Sequence, residues 1–126
     1  MKKVPDHKLN ICIVGSETIV EKTLKGFLSD LGHEVCILNA SDLIKLSGTQ
    51  EFDLFIAPAS AAKSLFIKIH EISPDSMVLI VKDDNYSISA QEALQGRVFS
   101  FLQKPIRLSE LEVTLQRLIE YHDSKT

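Results

Sequence analysis

Apolar and polar residues alternate along the chain in blocks that predict five strands, each followed by a helix. Short apolar runs predict strands near 9–14, 34–38, 53–57, 77–82 and 98–102. Between them, apolar residues recur at helical spacing, as in the stripe that contains Leu24, Leu28 and Leu31 and is stopped by Gly32. Such strand–helix alternation is typical of a parallel sheet with helices on both faces.

Capping residues and apolar spacing set the expected helix boundaries. Thr18 and Glu21 are spaced as a capping box for the first helix, and Ser41 can cap a short second helix. A second capping-box pair, Ser109 and Glu112, places the start of the closing helix there or a residue or two earlier. The two remaining helices are expected over 64–72 and 88–95.

The most apolar stretch, 52–57, ends at Pro58. A run of this kind suits a central strand that is buried on both faces of a parallel sheet. In open parallel sheets the chemistry lies beyond the carboxyl ends of the strands, so a functional loop is expected to begin here. Pro58 supplies no nucleophile, no charge and no N–H, and it is therefore an unsuitable residue for such chemistry.

Composition and charge narrow the function classes. With 126 residues, the chain is expected to form one domain with a core over about 8–121. The formal net charge is -3 and the basic residues form no run beyond Lys2-Lys3, which argues against a nucleic-acid surface. No apolar run approaches the roughly 20 residues of a membrane span, and we expect a cytoplasmic protein.

The cysteines and histidines give no metal-binding spacing. Cys12 and Cys36 each lie in an apolar strand-like run, so we expect buried, reduced thiols rather than a disulfide. His33 follows Gly32 and is expected in an exposed loop. Ser16 and Ser60 follow the first and third predicted strands as possible phosphoacceptors, but no base accompanies them, and capping or loop roles are expected for both.

From Lys8 to about Tyr121 the chain resembles the receiver domains of bacterial response regulators, the flavodoxin-like modules of two-component signalling. The resemblance rests on the strand ends and the first helix, with residues 11–17, Leu24, Leu28, Leu31, Gly32, Val35, Phe52-Asp53-Leu54, Phe101, Lys104 and Pro105. It implies an α/β fold with a doubly wound five-stranded parallel sheet, strand order 2-1-3-4-5 and helices on both faces. It also implies a cis peptide bond before Pro105.

The resemblance implies a phosphorylation site that this chain lacks. Receivers use an acidic pair for Mg²⁺, a phosphoacceptor Asp, a hydroxyl and a lysine, because a hard cation binds carboxylate oxygens and offsets phosphoryl charge. The corresponding residues here are Gly15 and Ser16 for the acidic pair, Pro58 for the Asp, Lys82 for the hydroxyl and Lys104 for the lysine. The loop after the central strand is also about four residues shorter. We therefore expect a degenerate pseudo-receiver that is not an enzyme and holds no metal or cofactor.

The vestigial pocket is expected to contain Lys82 and Lys104 at neighbouring strand ends. Two ammonium groups about 5 Å apart would repel by roughly 3 kcal/mol at an effective dielectric near 20. Glu17 or a bound anion could offset that charge, or Lys82 could turn to solvent. Phe99 and Phe101, expected on one side of the last strand, belong either to the core or to an interface.

Three functions remain open from the sequence. The leading hypothesis is a signalling module that acts without phosphorylation, through a protein partner or self-association at the face of the fourth helix, fifth strand and fifth helix. The alternative is a small-anion or ligand sensor that uses Lys82 and Lys104. An enzyme or a phosphorylatable receiver ranks below both, because the nucleophile and metal ligands are absent.

Overall fold

The computed structural model describes residues 8–48, 50–82 and 88–124. Strands and helices alternate through this part of the chain, as β1 Asn10–Val14, α1 Ile19–Asp30, β2 Glu34–Leu38, α2 Ala40–Lys45, β3 Leu54–Pro58, α3 Ala59–Ile72, β4 Met77–Lys82, α4 Ala90–Gln95, β5 Val98–Gln103 and α5 Leu108–Ser124. The strands are all parallel in the order β2-β1-β3-β4-β5. The predicted five-stranded α/β architecture is therefore confirmed.

The sheet separates two hydrophobic clusters, because successive side chains of a strand point to opposite faces. Along β3, Leu54 and Ile56 join the cluster under α1 and α5, which we call the α1/α5 face. Phe55 and Ala57 join the cluster under α2 and α3, which we call the α2/α3 face. All four side chains are buried, so the central strand is enclosed on both sides as its apolar sequence predicts.

Helix α3 begins directly after the central strand, and the prediction of an intervening loop with a helix start at Ser64 is wrong. The helix starts at Ala59, with Pro58 as its N-cap residue. Ala59 and Ala62 are buried and extend the apolar stripe that continues with Leu65. Small alanines give a weak periodic signal, so the larger residues alone suggest a later start.

Three helix starts show where local capping signals succeed and fail. Asn39, not Ser41, caps α2, and its side chain accepts from the Asp42 N–H at 2.7 Å. Helix α4 has a full capping box between Ser89 and Glu92 and so begins slightly later than expected. Thr18 occupies the N-cap position of α1 but its side chain forms no cap hydrogen bond, and its hydroxyl donates to the Glu21 carboxylate.

His33 is buried, and the prediction of an exposed loop residue is wrong. Gly32, with φ +99°, ends α1 in a left-handed turn in which the His33 N–H donates to the Leu28 carbonyl at 3.2 Å. This turn directs the His33 ring inward, where it is 7% exposed and its Nδ1 accepts from the Leu9 N–H at 3.1 Å. Burial lowers the pKa of His33 below its ordinary value.

Phe99 and Phe101 lie on opposite faces of β5, and the prediction of a shared side is wrong. Val78 pairs with Val98 whereas Leu79 pairs with Ser100, so Phe99 is an extra residue in a β-bulge. The bulge shifts the alternation of side chains by one position. Phe99 consequently packs against the cluster of the α1/α5 face, while Phe101 pairs with Ile80, a residue of the α2/α3 face.

Candidate functional site at the strand ends

An open cleft of about 810 Å³ lies where β1 and β3 end, between the start of α1 and the segment that joins β5 to α5. Most of its lining is apolar, and the residues are Ile13, Val14, Thr18, Ile19, Val20, Glu21, Thr23, Leu24, Ile56, Ala57, Pro58, Val81, Lys104, Pro105, Ile106 and Leu108. Ile19 and Val20 are largely exposed at its edge. The cleft is thus suited to contact with apolar groups, and its charges come from Glu21 and Lys104.

Glu21 takes the space that a side chain at position 15 would need. Gly15 follows β1 with φ +157°, and a Cβ atom built there would lie 2.9 Å from the Glu21 Oε2. The hydrogen bond from the Thr18 hydroxyl holds this carboxylate in place. The sequence pattern indicates Glu21 only as a capping-box residue, since its role in the cleft depends on the backbone path at Gly15.

Ser16 and Glu17, which follow Gly15, are not part of the cleft lining. Ser16 is exposed, and its carbonyl accepts from the Thr18 N–H at 2.8 Å in a turn before α1. Glu17 is also exposed, and within the described residues it forms no ion pair with Lys82 or Lys104. Glu17 therefore does not offset the charge of either lysine in this structure.

Pro58 lines the cleft at the end of the central strand. Its φ of -68° and ψ of 147° are those of a helix N-cap residue, but it offers no side-chain acceptor to the first turn of α3. Ser60, in that first turn, is exposed. The position that the resemblance assigns to a phosphoacceptor therefore presents a saturated ring to the cleft.

Lys82 and Lys104 do not share a pocket. Lys104 lines the cleft, whereas Lys82 is outside its lining, with the Nζ atom 5.5 Å from the centre of the Phe101 ring. The alternation along β4 explains the separation, because Val81 belongs to the α1/α5 face and its neighbour Lys82 points the other way. Lys82 is exposed, in agreement with the alternative that it turns to solvent, and the Phe101 ring gives it a cation–π partner.

The segment after β5 fixes one wall of the cleft. The Lys104–Pro105 peptide bond is cis, and the Lys104 N–H donates to the Lys82 carbonyl at 3.4 Å. Ile106 and Leu108 continue the apolar lining into α5.

Across the described residues, no group of three or more His, Cys, Asp or Glu side chains is placed to hold a metal ion. None of the described helices is both long and apolar enough to cross a membrane.

Comparison with known proteins extends these observations. No family model matches the chain. Among curated proteins, it is 29% identical over 114 residues to the DNA-binding transcriptional regulator NtrC of Azospirillum brasilense. That match covers 86% of the chain but 24% of the regulator, so the chain corresponds to about a quarter of its length.

Solved structures of receiver domains share the fold. The signal receiver domain of an HD domain-containing protein from Pseudomonas fluorescens Pf-5 has a TM-score of 0.74 at 22% identity and covers 94% of this chain and 99% of that chain. The receiver domain of the sensor histidine kinase PA1611 from Pseudomonas aeruginosa PAO1, with magnesium in its active site cleft, has a TM-score of 0.72 at 18% identity and covers 90% and 99%.

A third solved structure contains a receiver bound to another protein. It is the Saccharomyces cerevisiae complex of the histidine phosphotransfer protein Ypd1 with the receiver domain of Ssk1, with a TM-score of 0.62 at 18% identity and coverage of 83% and 84%. These neighbours agree with the strand order and with the helices on both faces of the sheet. We conclude that the chain has the flavodoxin-like fold of response regulator receiver domains.

Proposed function

We propose that this chain is a degenerate receiver that takes part in two-component signalling without phosphorylation, through contact with another protein. The observation that carries the proposal is Pro58, which lines the cleft at the end of β3, where the resemblance places the phosphoacceptor. A prolyl ring has no oxygen that could form an acyl phosphate. Gly15 and Ser16 stand in place of the acidic pair, so the Mg²⁺ ligands of that pair are missing too.

The apolar lining of the cleft also supports signalling without phosphorylation. The PA1611 receiver coordinates magnesium in its active site cleft. The cleft of this chain is lined instead by side chains such as Ile13, Ile56 and Val81, and its one lining carboxylate, Glu21, is hydrogen-bonded to Thr18. An apolar lining favours the burial of apolar groups over the binding of a doubly charged ion and a phosphoryl group.

We place the protein contact on the surface formed by α4, β5 and α5. Leu94 of α4 is 81% exposed, and Phe101 of β5 and Tyr121 of α5 are each 39% exposed. Phe99 supports this surface from the α1/α5 face, with its ring centre 5.8 Å from that of Tyr121. Aromatic side chains such as Phe101 and Tyr121 are enriched in protein interfaces relative to the rest of the surface. The Ssk1 receiver bound to Ypd1 is a precedent for protein contact by this fold.

Phosphodonor labelling tests the absence of phosphotransfer. The chain is incubated with acetyl phosphate and Mg²⁺ beside a receiver that has the acidic pair, and intact mass is measured. We expect no phosphoryl group on wild type. Pro58→Asp should fold, because Asp is a favoured N-cap residue, and should also stay unlabelled because the acidic pair is missing. Pro58→Asn is its matched control, with similar shape and no acidic oxygen.

A hydroxylamine-sensitive phosphoryl group on wild type would overturn the proposal.

The contact surface is tested separately. Sedimentation equilibrium measures self-association, and co-purification detects a signalling partner. Leu94→Glu should weaken the contact, whereas Ile67→Glu on α3, where Ile67 is 84% exposed, should leave it unchanged. Equal loss of binding in the two variants would place the contact elsewhere.

A further inference from the structure

Two cysteine residues face each other across the β1–β2 pair. Cys12 and Cys36 are direct register partners in parallel strands. Register partners on neighbouring parallel strands project their side chains to the same face of the sheet, and both residues pack in the cluster of the α2/α3 face. Both thiols are free, and each shifts the pKa of the other.

The strand spacing is compatible with a bond between the two sulfur atoms. Neighbouring strands lie about 4.8 Å apart. The Cα atoms of disulfide-bonded cysteines are usually about 4.4–6.8 Å apart, so the spacing lies within that range. Strand β2 is at the edge of the sheet and has a neighbour on one side alone, so it can adjust to the shorter Cβ separation of a disulfide.

The two thiols differ in access and in acidity. Cys12 is fully buried, whereas Cys36 is half-buried and lines an open pocket of about 180 Å³ beside Gln50 and Phe52. The hydrogen bond with Cys12 and the positive charge of Lys25 outweigh desolvation and lower the pKa of Cys36 to about 7. The hydrogen bond to Cys36 and burial raise the pKa of Cys12. Accessible, acidic cysteines beside a second thiol are the ones that peroxides oxidise.

We propose that Cys36 and Cys12 form a peroxide-sensitive dithiol site, with Cys36 as the attacking thiolate and Cys12 as the resolving thiol. The Cys36 sulfur attacks one oxygen of hydrogen peroxide, the O–O bond breaks, and the hydroxide that leaves takes up a proton to become water. Cys36 is then a sulfenic acid. The Cys12 sulfur attacks the Cys36 sulfur, the S–O bond breaks, and the hydroxyl group leaves with the Cys12 proton as water. Two thiols are oxidised to one disulfide, and peroxide is reduced to two waters.

A disulfide between Cys12 and Cys36 would change the edge of the cleft through the end of β2. The Leu38 carbonyl, two residues after Cys36, accepts from the Gly15 N–H at 2.9 Å. Gly15 in turn adjoins the Glu21 carboxylate that lines the cleft. A shift of β2 that draws Cys36 towards Cys12 therefore moves a strand end that is hydrogen-bonded to the edge of the cleft. The site lies apart from the α4–β5–α5 surface and does not depend on it.

Intact mass spectrometry of the whole chain tests the site. Wild type treated with hydrogen peroxide should lose two hydrogen atoms, and non-reducing peptide mapping should recover the Cys12 peptide joined to the Cys36 peptide. Cys12→Ala should gain one oxygen atom, or a dimedone adduct if dimedone is present, because its sulfenic acid cannot be resolved. Cys36→Ala should keep its mass at the same peroxide dose.

Reduction, a folding check and three possible results on wild type control this test. Dithiothreitol should restore the wild-type mass. Because Cys12 is buried, each variant is first compared with wild type by circular dichroism, and the wild-type peptide map stands even if Cys12→Ala is poorly folded. A wild type that keeps its mass, gains oxygen without losing hydrogen, or forms a dimer linked through Cys36 would overturn the proposal.

Discussion

Gly15→Ala tests whether the backbone at position 15 tolerates a side chain. Gly15 has φ +157°, a conformation that L residues rarely adopt, and a Cβ atom there would lie 2.9 Å from the Glu21 Oε2. The positive φ and the contact with Glu21 would oppose any other side chain at this position, including an introduced aspartate. We therefore expect the backbone conformation at Gly15 and the position of Glu21 to oppose the introduction of a carboxylate at this position.

The expected loss of stability has two parts. A non-glycine residue in such a conformation costs about 1–3 kcal/mol. The short contact with Glu21 can be relieved by rotation of its flexible side chain, which would break the hydrogen bond from Thr18 and remove about 0.5–1.5 kcal/mol. The sum is about 1.5–4.5 kcal/mol, a large part of the 5–15 kcal/mol that is typical of a whole domain.

Urea unfolding followed by far-ultraviolet circular dichroism measures this loss, since the chain has no tryptophan. Gly26→Ala is the matched control, because Gly26 lies inside α1 with no atom within 4 Å of its built Cβ, and it should gain about 0.5–1 kcal/mol. Gly15→Ala in a Glu21→Ala background should lose less than in wild type. If Gly15→Ala is as stable as wild type, the conformational argument is refuted. If the Glu21→Ala background changes nothing, the contact argument is refuted.

Three further predictions concern packing, pH and the cleft. Gly96→Ala should destabilise by about 1–3 kcal/mol in the same unfolding assay, because the new Cβ would lie 2.6 Å from the Phe66 ring and force a buried aromatic to move; a neutral effect would contradict that packing. Burial lowers the pKa of His33, so the unfolded chain binds the proton more readily; stability should fall as pH drops below about 6.5, by at most about 1.4 kcal/mol per pH unit. His33→Asn should reduce that slope, and an unchanged slope would exclude His33 as its source. Phosphate at constant ionic strength should raise the melting temperature of wild type and Lys104→Ala equally, because Lys82 lies outside the cleft lining; a larger rise in wild type would favour an anion sensor.

The sequence alone determined the number of strands and their alternation with helices along the chain. The alternation of apolar runs and helical stripes is local, and it specifies a parallel α/β sheet whatever the details of packing. The identity of a residue at a strand end is also independent of its conformation, so Gly15 and Pro58 supply no side-chain carboxylate at the ends of β1 and β3. Gly32 ended its helix because a positive φ is a local property of that residue.

Only the tertiary structure decided which side chains meet. One bulged residue, Phe99, reversed the face of Phe101 and placed it under the Lys82 ammonium group. The register between β1 and β2 set Cys12 opposite Cys36, although 24 positions separate them in the chain. Strand register and bulges follow from packing between distant segments, and a shift of one residue exchanges the two faces of a sheet. A local pattern carries no information about that shift, so the faces and contacts at the candidate site emerged only from the folded chain.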